Sequence, residues 1–90
     1  MITAMTKTER TQEVTRMFYE YCEQRGFIAD DEGFGYWCVA KQGSVRSDEM
    51  FQVQRRGFEV VTHLCECEEA LEFARGLNGE LENWKRMMEL

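Results

Sequence analysis

The chain of 90 residues contains no proline and a single histidine. Without proline there is no polyproline recognition tail and no rigid linker, so the chain reads as regular elements joined by short turns. One histidine limits both catalytic dyads and metal sites. No apolar run approaches 20 residues, the length a membrane-spanning helix needs. The first residues, Met-Ile-Thr-Ala-Met-Thr-Lys, lack the apolar centre of a secretory signal, which leads to a cytoplasmic expectation. Basic residues are few, 11 against 17 acidic, for a net charge of −6. A phosphate backbone calls for a basic face, so direct nucleic-acid binding is not expected.

Apolar side chains make up 43% of the chain and aromatic ones 12%, enough for one core. The length suits a single domain over 1–90, with 1–5 as a flexible start. Four cysteines stand at Cys22, Cys38, Cys65 and Cys67. In a cytosolic setting they are read as thiols rather than as a disulfide framework.

Thr6-Lys7-Thr8-Glu9 has the form of a capping box, and Val14, Met17, Phe18, Tyr21 and Cys22 then recur on one helical face. Gly26 is suited to the left-handed residue after a helix end, so a helix is predicted over 7–25, with Phe27 folding back onto Tyr21 or Cys22. Phe27-Ile28-Ala29 is a short extended candidate and Asp30-Asp31-Glu32-Gly33 an acidic turn. Strands are predicted over 34–41, 50–54 and 58–64, with the tight turn between the last two at Arg55-Arg56-Gly57. In the last strand Phe58, Val60, Thr62 and Leu64 face the core. Ala70, Phe73, Ala74, Leu77, Leu81, Trp84 and Met88 keep one helical phase to the C-terminus. Each glycine of Gly76-Leu77-Asn78-Gly79 weakens that helix by about 1 kcal/mol relative to alanine, and a break near Asn78 is the alternative. The expected fold is α+β, with a three- or four-stranded antiparallel sheet and two flanking helices in the order α-β-β-β-α.

Several residue groups carry possible chemistry. In an extended segment His63, Cys65 and Cys67 would share one side, a thiolate and imidazole set that suits zinc, with Cys38 or Cys22 as a fourth ligand. No Cys-x-x-Cys knuckle accompanies them, so no metal or other cofactor is assigned. A cysteine–histidine dyad lacks an orienting group and a glycine-rich oxyanion segment, and no enzyme is read here. Lys41, Arg46, Arg55 and Arg56 form a modest basic rim at one end of the sheet, diluted by Asp48 and Glu49. Near Tyr36, Trp37 and Phe51 it resembles a weak single-strand platform, but the usual RNA-binding aromatic motif is missing. Gly33-Phe34-Gly35 is too short for a phosphate loop.

The acidic side is more pronounced. Residues 63–90 hold seven glutamates against three basic residues. Glu59, Glu66, Glu68, Glu69 and Glu72 lie along the last strand and the first helical turns, and Asp30, Asp31 and Glu32 add a second acidic group. Such a surface can dock a basic protein, typically one with a positive nucleic-acid groove. Trp84, Met87, Met88 and Leu90 offer a second contact region and a possible homodimer. In size and charge the chain is similar to small acidic proteins of phages and mobile elements that block host defence or transcription machinery, inhibitors of CRISPR effectors among them. The resemblance implies a non-enzymatic inhibitor or adaptor with a protein partner. The alternatives are a zinc- or redox-responsive protein using His63, Cys65 and Cys67, and a structural homodimer.

Overall fold

A computed structural model describes residues 6–43, 50–64 and 66–88. The element order is α1 (Lys7–Arg25), β1 (Phe27–Gly33), β2 (Tyr36–Lys41), β3 (Phe51–Arg56), β4 (Glu59–His63) and α2 (Glu68–Met87). The four strands form one antiparallel sheet in sequence order, and both helices pack on one of its faces. The expected α+β class with one antiparallel sheet holds; the sheet has four strands, the larger of the two expected counts, because the extended candidate at Phe27-Ile28-Ala29 is the start of a full strand.

The bounds of α1 follow from its caps. The Thr6 hydroxyl accepts from the Glu9 amide at 3.1 Å, and the Glu9 carboxylate accepts from the Thr6 amide at 3.2 Å. At the other end Gly26 takes φ 76° and its amide donates to the Cys22 and Glu23 carbonyls. Phe27, the first residue of β1, packs against the core cluster that contains Tyr21 and Cys22, and its ring meets Phe73 and Phe51 with centroids 5.3 and 6.1 Å apart.

The acidic segment is the main correction. Asp30, Asp31 and Glu32 are not a turn; they lie within β1 and pair with β2. The turn is the two residues Phe34-Gly35, both with positive φ, as a right-twisted two-residue hairpin requires. A register shift between Asp31 and Gly33 accommodates it, and the Asp31 carboxylate accepts from the Gly33 amide at 2.7 Å. Similarly, Arg55 and Arg56 remain in β3, and the turn falls at Gly57-Phe58.

Trp37 and Val39 of β2, Phe51 and Val53 of β3, and Val60 of β4 are buried beneath the helices. From α1 come Val14, Phe18, Tyr21 and Cys22, and from α2 come Ala70, Phe73, Ala74, Leu77 and Leu81. Phe18 stacks on Trp37 at 4.1 Å, and Phe73 meets Phe18, Tyr21, Phe27 and Phe51 edge-on. Phe73 is therefore the side chain that joins both helices to the sheet.

Helix α2 is unbroken through Gly76-Leu77-Asn78-Gly79, and the residues that weaken it locally have structural roles. The Asn78 side chain accepts from the Val60 amide and donates to the Val60 carbonyl, both at 2.8 Å. β4 is an edge strand, and Asn78 satisfies both groups of a residue on its open side, as another strand would. A Cβ on Gly76 would fall well inside contact distance of Tyr21 Oη, so that glycine lets α1 and α2 approach.

Among the described residues no helix is long and apolar enough to cross a membrane.

Candidate functional site

Because both helices pack on one face, no helix or strand among the described residues covers the other face of the sheet, called the open face below. The register places Asp30, Cys38, Gln52 and His63 in one row across it, with Tyr36, Gln54 and Val61 in the neighbouring row. The Tyr36 and His63 rings meet over β3 at 4.3 Å. Burial first, and then the Glu32 and Asp30 charges, raise the Cys38 thiol above its ordinary value, so this thiol is held in its protonated form.

The structure does not bring the acidic residues into one cluster. Asp30 and Glu32 lie on the open face of β1, whereas Asp31 is on the helix-covered side with its carboxylate turned to the Gly33 amide. β1 and β4 are the two edges of the sheet, about 14 Å apart at three strand spacings. Glu59 is opposite Arg56 at the start of β4, and the strand runs away from it toward His63. Glu66, Glu68, Glu69 and Glu72 do group together. All four are exposed, on the approach to α2 and its first turns. Glu68 and Glu69 also oppose the positive end of the helix dipole. Among the described residues none of the four has an ion-pair partner, whereas Glu13, Glu20, Glu80 and Glu82 all do.

Two features beside these acids escaped the sequence reading. Phe34, at the β1–β2 turn after Glu32, is 97% exposed with φ 54°. Leu64, just before the α2 approach, is 88% exposed with φ 62°. Leu64 was expected on the core face of its strand, but β4 ends at His63 and the left-handed backbone turns its side chain out. The left-handed region costs a non-glycine residue about 1–2 kcal/mol, so both side chains are held out against a local penalty. At Leu64 nothing in the local sequence signals this, because the residue continues a strand-like run; at Phe34 the flanking Gly33 and Gly35 are the signal.

The same turn bears on the zinc set. With β4 ending at His63 and α2 beginning at Glu68, the extended alternation that would align His63, Cys65 and Cys67 stops at Leu64. Cys65 lies outside the described residues. Cys67 is half-buried against the core, and His63 is on the open face beside Tyr36. Among the described residues no three His, Cys, Asp or Glu side chains are grouped to hold a metal ion. Cys22 is buried in the core, and burial pushes its thiol up to about 12.

The expected basic rim is divided. Lys41 ends β2 opposite Phe27, while Arg55 and Arg56 end β3 at the other end of the sheet, because adjacent strands run in opposite directions. Arg46, Asp48 and Glu49 lie outside the described residues. Of the C-terminal contact candidates, Trp84 packs on Phe58 at 5.6 Å, Met88 is half-buried and Met87 is exposed. Leu90 and residues 1–5 are also outside the described set.

Comparison with protein-family models, with curated proteins and with solved structures finds no match to this chain.

Proposed function

We propose that this chain is a non-enzymatic interaction module that docks a basic surface of a protein partner, with Glu66, Glu68, Glu69 and Glu72 as the main contact and Leu64 as its apolar anchor. The observation that carries this reading is the pairing of four carboxylates, without ion-pair partners among the described residues, with an outward-held leucine. Charge alone is ordinarily a solvated face. A large apolar side chain kept out of the core beside it adds contact area that becomes favourable only when a partner covers it. Asp30 and Glu32, next to Phe34, form a smaller contact of the same composition at the opposite edge of the sheet. Glu59 and Asp31 belong to neither: Glu59 stands at the far end of β4 from Leu64, and Asp31 is engaged by the Gly33 amide.

A protein whose groove ordinarily holds phosphates supplies the complementary charge. On this reading the module is an inhibitor or adaptor that occupies such a groove in place of nucleic acid, the role carried by the phage-encoded inhibitors it is similar to in size and charge. Electrostatic complementarity acts mainly on the association rate. Replacing Glu66, Glu68, Glu69 and Glu72 by lysine should slow association with the partner at least tenfold at low salt and abolish its salt dependence. Leu64→Ser should instead speed dissociation. Association at an unchanged rate in the charge-reversed chain would remove the assignment.

A further inference from the structure

At the other end of β4 the electrostatics reverse. A groove of about 310 Å³ lies between the first turns of α1 and the β3–β4 hairpin, lined by Lys7, Arg10, Thr11, Arg55, Gly57 and Phe58. Three of these six residues are cations and none is acidic, in a chain of net charge −6. Among the described residues no carboxylate pairs with Lys7, Arg10 or Arg55; Lys41, Arg56 and Arg75 are likewise unpaired but do not line the groove. The Arg10 guanidinium is 5.4 Å from the centre of the Phe58 ring, and its Nε–H is buried without an acceptor. Enclosed in this way, the Nε–H is out of reach of a ligand in the groove, and Arg10 acts on an anion there through its charge. The Thr11 hydroxyl already donates to the Lys7 carbonyl, so recognition falls on the three cations.

We infer that this groove binds the phosphate of a small phosphomonoester. A carboxylate is matched by one bidentate arginine. Three separate cations suit a dianion with three terminal oxygens. The volume is at the lower end of small-ligand sites, which fits a body of mononucleotide size rather than a polymer, and Phe58 gives that body an apolar wall. The inference is independent of the acidic surface, which lies beyond the opposite end of the strand.

The test is an amide NMR titration of the whole chain at low salt with inorganic phosphate, with adenosine 5′-monophosphate and with adenosine. Both phosphates should give saturable shifts confined to the amides around Lys7–Thr11 and Arg55–Phe58, and adenosine should give none there. Arg55→Gln should weaken phosphate binding about tenfold or more, because a hydrogen bond to a charged group is lost. It leaves the Arg55 amide bond to the Gly35 carbonyl in place, and Lys7→Gln on the exposed first turn provides a second variant. Arg16→Gln should change nothing. Shifts that fail to saturate, that spread over all exposed cations, or that survive both groove variants would overturn the site. So would tighter binding of an oligothymidylate without terminal phosphates, since internal diesters would then be the ligand.

Discussion

Two glycines one helical turn apart in α2 should respond to the same substitution with opposite signs. At Gly79 an added Cβ meets nothing within 4 Å, so Gly79→Ala should stabilise the fold by the helix-propensity difference of about 0.5–1 kcal/mol. At Gly76 the new methyl would overlap Tyr21 Oη and lie 3.2 Å from Cζ. Tyr21 cannot move aside freely. It is buried, the Arg25 guanidinium is 3.8 Å from its ring centre, and Phe73 meets it edge-on at 5.1 Å. Overpacking of this kind costs about 1–3 kcal/mol, which outweighs the propensity gain and leaves Gly76→Ala destabilised by about 1 kcal/mol. For a domain of this size each kcal/mol moves Tm by about 4–8 °C, so the two variants, about 1.5–2 kcal/mol apart, should differ by about 6–16 °C. Urea and thermal denaturation followed by circular dichroism would measure the difference. In a Tyr21→Phe background the Gly76→Ala penalty should shrink, since the overlapping oxygen is gone. Equal stabilisation by both alanines would refute the claim that Gly76 sets the approach of α1 to α2.

Other consequences are equally direct. Asn78→Ala removes both hydrogen bonds at the β4 edge and should destabilise by about 2 kcal/mol, with the Val60 amide losing hydrogen-exchange protection first. Thr6→Ala dismantles the capping box and should cost about 1 kcal/mol in denaturation, and Thr6→Asn should recover most of it. The Cys22 thiol, pushed up to about 12, stays protonated in the fold while an unfolded chain ionises it near 9. Its contribution to stability is complete below pH 9 and falls by up to about 1.4 kcal/mol per pH unit between 9 and 12. Cys38 and Tyr21, raised mainly by burial as well, add to that fall, and Cys22→Val should flatten it. Denaturation at pH 8 and pH 10 measures the effect.

Much of the fold was legible because its signals are local. The capping box and Gly26 fix both ends of α1, and the apolar phase of α2 runs from Ala70 to Leu81. The acidic segment misled because Asp and Glu are poor strand formers, and their pairing with β2 is decided by a partner beyond the turn. Asn78 read as a helix weakness because its purpose is on β4, 18 residues away. The left-handed turn at Leu64 has no neighbouring glycine or asparagine to announce it, whereas the one at Phe34 sits between Gly33 and Gly35, which mark a turn without saying which residue is turned out. The basic groove was invisible for the same reason as the Asn78 contact. Lys7 and Arg10 meet Arg55 only once α1 is laid on the sheet, whereas sequence proximity grouped Arg55 with Lys41, which is at the opposite end.

The most direct test of the interaction reading is a paired capture. The native chain and the variant with lysine at positions 66, 68, 69 and 72 are immobilised side by side and exposed to a lysate of the cells that make the protein, at low and at high salt. The native chain alone should retain a basic nucleic-acid-binding protein, salt should release it, and added nucleic acid should compete with it. Retention of the same proteins by both chains, or of none that nucleic acid displaces, would contradict it.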